Sequence, residues 1–170
     1  MDHFARLGLP ATLELEPAAL DRAYFALQRQ WHPDRFVTKP PAEKAKASSE
    51  AASLNDAYRT LKDPLSRAFY LAELKGVDLP ADGKTIDDPD LLMEVMDARE
   101  ELQDASSTGE VDALAKFARE DLQKGLADLS RLFQANDKPA IRTALLRLRY
   151  LDKFADEARA RRTNLEKAKA

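Results

Sequence analysis

Apolar residues recur at helical spacing through most of this chain, and no stretch alternates apolar with polar over the length of a strand. Ala, Leu, Glu, Lys and Arg dominate, and 5 glycines occur in 170 residues. Those common types cost little in a helix, whereas each interior glycine costs about 1 kcal/mol. The expectation is an all-α fold. The chief interruption is GVDLPADGKTIDDPD, residues 76–90, where Gly, Pro and short acidic side chains favour turns. It divides the chain into a first unit over 1–75, a linker over 76–87 and a second unit over 88–170.

In the first unit Pro17 suits an opening helical turn, and Leu20, Tyr24, Leu27 and Trp31 follow at i, i+4, i+7 and i+11. Pro33 ends that helix near Trp31 or His32. A second helix over 41–61 places Ala47, Ala51, Leu54, Tyr58 and Leu61 on one stripe, and a third starts near Pro64. The unit therefore reads as an antiparallel helical hairpin with short flanking helices, joined by the polar loop HPDRFVTKP. In the second unit, helices over 88–107, 110–135 and 138–168 are broken by SSTGE and ANDKP, which predicts a three-helix bundle. Val111, Leu114, Ala118, Leu122, Gly125, Leu129 and Leu132 form one core stripe. Ile141, Ala144, Leu148, Leu151 and Ala155 form another.

Cysteine is absent, so disulfides, Cys-zinc sites and clusters held by this chain's own thiolates are excluded. No apolar run approaches the roughly 20 residues of a membrane span, and MDHFARLGLP lacks the pattern of a secretion signal, so a soluble, cytoplasmic protein without a membrane partner is expected. The net charge of −3 is unevenly spread: 11 basic and 10 acidic residues over 1–75, 4 and 14 over 76–123, 12 and 6 over 124–170. So acidic a middle repels phosphate backbones, which argues against nucleic acid. A solvated helix face is the plainer reading of the same charges.

His32, Pro33 and Asp34 stand between two amphipathic helices. Pro fixes the backbone while His and Asp present a donor and a charged acceptor outward, a rigid polar docking point. A helix stop in which Asp34 caps a turn is the alternative. The surrounding YFALQRQWHPDRF, with LNDAYRTLKDPLSRAFYL after it, resembles the J domain and its His-Pro-Asp signature over most of residues 1–75. That resemblance implies docking on a DnaK-class chaperone ATPase through His32, Pro33 and Asp34. It also implies that Arg22, Arg29 and Arg35 meet an acidic surface there and steer the encounter. Each arginine can equally be an ordinary surface charge.

The helix opening near Asp88 mixes two kinds of face. At about 100° per residue Leu91, Val95, Ala98 and Leu102 make the core stripe, while Leu92, Met93, Met96, Asp97, Glu100 and Asp104 fall on the other side. Adaptable Met beside carboxylates suits docking on a protein with basic residues around an apolar patch. A broad core stripe with one exposed Met is the competing reading. LLMEVMDAREELQD resembles the segment through which HscB-type J-domain co-chaperones bind the iron-sulfur scaffold IscU, and MDHFARLGLP and RLRYLDKF extend the likeness to nearly the full chain. The resemblance implies scaffold contacts at Leu92, Met93, Met96, Asp97, Glu100, Asp104 and, on the last helix, Tyr150. Met96, Asp97, Asp104 and Tyr150 depart from that family's pattern within their chemical class. A bacterial-type form, without the cysteine-bearing N-terminal extension of some eukaryotic relatives, is implied as well.

Neither a nucleophile with its base, a metal site nor a glycine-rich phosphate loop is present, so the expectation is a protein with no catalytic residues, no metal and no cofactor of its own. The family implies a co-chaperone that activates an HscA-like ATPase and delivers an IscU-like scaffold to it. Weak self-association stays open. The rival is a general J protein for unfolded clients, but such proteins carry Gly/Phe-rich linkers and often Cys-rich modules, which this chain lacks after Leu74.

Overall fold

A computed structural model describes residues 1–169. Among these residues the regular structure is helical, without strands, and it divides into two compact units, Met1–Lys75 and Gly76–Ala170.

In the first unit α1 (His3–Arg6) is capped by Asp2, whose carboxylate accepts from the Ala5 N–H at 2.8 Å, and it buries Phe4. This four-residue helix has too little periodicity to be read from sequence. α2 (Pro17–Trp31), α3 (Pro41–Lys62) and α4 (Pro64–Leu74) each open on a proline, where the missing N–H leaves no donor unpaired. α2 and α3 run antiparallel, as two cross-links show. The Tyr24 hydroxyl donates to Asn55 Oδ1 at 2.5 Å, and one turn earlier on α2 Asp21 accepts from Tyr58, one turn later on α3, at 2.6 Å. Leu20, Leu54 and Leu61 lie at 2% exposure or less, each contributing about 1.5–3 kcal/mol from burial.

The second unit comprises α5 (Pro89–Asp104), α6 (Thr108–Gln134) and α7 (Lys138–Ala168). The break between α5 and α6 spans residues 105–107 and takes only the first two residues of SSTGE: α6 begins inside that run, because Ser107 accepts from the Glu110 N–H while Glu110 reaches back to the Ser106 N–H at 2.7 Å. α6 and α7 pack antiparallel along their length, and Gly125 lets them close: a Cβ there would sit 2.3 Å from Leu148 Cδ2. α5 leans on α7 in parallel, since Glu94 bonds Arg147, Arg99 bonds Glu157, and Gln103 and Ala105 accept from Arg161. Residues 76–87, expected as a linker, are fastened along α7: Arg142 donates to the Asp78 carbonyl and to Asp87, Arg149 to the Pro80 carbonyl, and Lys153 to Asp82.

Candidate functional site

Two exposed surfaces, one in each unit, carry the residues singled out from the sequence. In the first, Pro33 stops α2 and opens a 3-10 turn, Pro33–Phe36. His32 caps that turn, its Nδ1 accepting the Asp34 N–H at 3.2 Å. In the neutral ring this acceptor role leaves the hydrogen on Nε2, pointing away from the cap. The Asp34 carboxylate lies 3.6 Å from the same Nδ1. His32, Pro33, Asp34 and Arg35 are all exposed. The turn is held from beneath, for Trp31 stacks on Phe36 with centroids 6.0 Å apart, Lys46 sits over the Trp31 ring, and Arg35 donates to the Arg29 carbonyl at 3.1 Å. The cap on this turn is therefore made by His32 and not by Asp34, whose exposed carboxylate lies beside the His32 ring.

Arg22 and Arg29 are exposed and, seven residues apart, share one face of α2. Phe25 lies on that face too, 49% exposed, and the sequence reading passed over it. Its signal was an aromatic between two arginines on the polar side of the helix.

The second surface is the outward face of α5. Asp88 caps the helix through the Asp90 and Leu91 N–H groups, which fixes where α5 starts and so how its faces are turned. Leu91, Val95 and Leu102 are buried and Ala98 is half-buried. On the opposite side Leu92 is 37%, Met93 63% and Met96 59% exposed, and Asp97, Glu100 and Asp104 are exposed beside them. The core reading of the methionines is thereby removed. Tyr150 rises from α7, half-buried, and lines hollows on both flanks of α5, one with Leu92 and the other with Met93. Burial first, and the Glu94 carboxylate next, push its phenol up to about 12. It stays neutral and keeps a donor at the edge of the patch.

Charge explains why this face is acidic. Much of the acidic excess of 76–123 is met by cations of α7: Asp82 by Lys153, Asp87 by Arg142, Asp112 by Arg162, and Glu94 and Asp121 together by Arg147. The sequence displayed the two opposing charge blocks but not this pairing. Asp97, Glu100 and Asp104 have no such ion pair among the described residues. Among the described residues no group of three His, Cys, Asp or Glu side chains is placed to hold a metal ion, and no helix is long and apolar enough to cross a membrane.

Comparison with known proteins places both surfaces in context. Residues 2–70 match the family model of the DnaJ domain, and residues 87–159 match the HSCB C-terminal oligomerisation domain. The co-chaperone protein HscB homolog of Burkholderia multivorans is 40% identical over 167 residues, spanning 96% of this chain and 95% of its own. That of Bordetella petrii is 41% identical over 165 residues, spanning 95% and 96%. Among solved structures, the chaperone HscB from Vibrio cholerae superposes with a TM-score of 0.81 at 33% identity, covering 97% of this chain and 99% of that one. The human co-chaperone protein HscB gives 0.86 at 27% identity, with 94% and 81% covered.

Proposed function

The chain belongs to the HscB family of J-domain co-chaperones, and from that premise we propose a division of labour between its two surfaces in iron-sulfur cluster assembly. The His32-Pro33-Asp34 turn, flanked by Arg22, Arg29 and Arg35, docks on an HscA-like chaperone of the DnaK class and stimulates its ATP hydrolysis. The outward face of α5, with Tyr150, holds an IscU-like scaffold and brings it to the chaperone. The protein acts in the cytoplasm beside both partners.

A protein without a reacting group speeds a partner's hydrolysis only by binding the competent state more tightly than the resting one. A preformed turn suits that task, because its three residues are already ordered by the His32 cap and the Trp31–Phe36 stack and little entropy is lost on docking. The arginines of α2 contribute long-range attraction more than holding energy. Carriage of the scaffold on the same chain raises its effective concentration at the chaperone. Delivery of a folded client therefore predicts synergy, where a general J protein would give additive effects.

The observation that carries the reading is the reversal of polarity on α5, where three large apolar side chains point outward among carboxylates while the core stripe behind them is filled. Its test is an ATPase assay of the cognate chaperone with this protein and the scaffold added separately and together. Wild type should stimulate synergistically. His32→Gln should abolish stimulation while helicity and scaffold binding remain. Additive stimulation by the wild type would refute delivery, and loss of helicity in His32→Gln would make His32 structural.

A further inference from the structure

The apolar surface of the second unit continues past α5. Phe117, on α6, is 67% exposed and faces Met93 and Asp97 across an open groove of about 530 Å³. The groove exists because α5 and α6 both pack on α7 and leave a gap between themselves. Its floor is apolar, formed by the buried Ala118, Leu151 and Phe154.

An exposed phenylalanine alone is ordinary. Two further features distinguish this one. First, the groove is continuous with the α5 face, since Met93, Asp97 and Tyr150 belong to both. Second, its walls carry a surplus of negative charge. Asp90, Glu94, Asp97, Glu101 and Asp121 line it, and the guanidinium among the lining residues, Arg147, is already engaged by Glu94 and Asp121. Asp97 and Glu101 make no ion pair among the described residues. An apolar floor under acidic walls is complementary to an apolar side chain flanked by Lys or Arg, and two such grooves face to face repel each other.

We infer that the scaffold's contact crosses this groove: a partner segment with an apolar side chain beside a basic one seats between α5 and α6, with Phe117 as its outer wall and Asp97 and Glu101 as its charge contacts. The inference rests on the proposed scaffold role of α5 and adds a second helix to that surface. A rigid aromatic at the border of a shallow patch turns it into a cleft, and clefts are where single residues contribute most to affinity.

The experiment is calorimetric titration of the full chain against the scaffold protein, for wild type, Met93→Ala, Phe117→Ala, Glu101→Gln and the control Gln123→Ala on the outer side of α6. Each variant is also melted, and the chain alone is sedimented. Phe117→Ala should weaken binding about 5- to 30-fold at an unchanged melting temperature. Glu101→Gln should weaken it more at low salt than at high salt, and Gln123→Ala should match wild type. Wild-type affinity in Phe117→Ala with a loss in Met93→Ala overturns the groove and leaves the α5 role standing. Wild-type affinity in both overturns the α5 role and the groove with it. A lowered melting temperature in Phe117→Ala together with a salt-independent Glu101→Gln makes Phe117 core. Self-association abolished by Phe117→Ala at unchanged scaffold affinity assigns the groove to a second copy instead.

Discussion

Val95 and Met96 are neighbours in the chain with opposite surroundings, 1% and 59% exposed, and that difference can be measured. Val95→Ala or Leu102→Ala empties a packed space and should cost about 1–4 kcal/mol of stability, read as a lower melting temperature, with any binding defect following from unfolding alone. Met93→Ala or Met96→Ala should weaken scaffold binding by about 1–2 kcal/mol with little change in the melt. Equal melting losses at all four positions would return the face to the core. Tyr150 offers a second single-residue test. Its phenol, raised to about 12 in the fold, ionises near 10 in an unfolded chain. The fold therefore disfavours the anion: the Tyr150 contribution to stability is fully present below pH 10 and is lost as pH rises toward 12. Ultraviolet titration should show a late-ionising component that is lost in Tyr150→Phe, and the variant should lose less stability across that interval. A late component of unchanged amplitude in Tyr150→Phe would contradict this assignment.

At the scale of elements, Gly125 sets two contributions against each other. Gly125→Ala gains about 1 kcal/mol of helix propensity but drives a methyl to within 2.3 Å of Leu148, itself buried. Overpacking of that kind costs about 1–3 kcal/mol, so the melting temperature should fall. In a Leu148→Ala background, itself less stable for want of a buried side chain, Gly125→Ala should cost less than in the wild type, a coupling visible in a double-mutant cycle of thermal melts, and strict additivity would disprove the contact. The sequence made the long helices legible because their stripes and prolines agree. The ANDKP break is a real turn for a local reason: Asn136 takes φ 51° as α6 closes, the Asp137 N–H bonds the Leu132 carbonyl, and Asp137 then caps α7. Less was legible where tertiary contact decides. The Gly125 stripe was visible, but Leu145, Phe154 and Ala158, also buried on α7, were missed because that helix is covered from two sides by α5 and α6. Phe117 escaped notice since a phenylalanine near a core stripe reads as core until the gap between α5 and α6 is seen.

Across the molecule, the opposing charge blocks act as a sorting rule. Basic α7 neutralises the flanks of its neighbours, while Asp97, Glu100 and Asp104 on the outward face of α5 stay outside these ion pairs. Sequence counting found the excess but could not say which acids would be satisfied internally. The parallel seat of α5 on α7 has a further consequence. One buried stripe and half-exposed ion pairs hold this helix, whereas α6 and α7 interlock over many turns. Such an element opens by itself, at a free energy below that of global unfolding. Amide hydrogens of α5 should then exchange with deuterium sooner than those in the middle of α6 or α7, and sooner still in salt, which weakens the pairs. Equal exchange along all three helices would show a single cooperative block. A partner that grips the outward side of α5 closes this breathing without touching its core, so occupancy should be recorded as slowed exchange in the very amides that α5 shields least by itself.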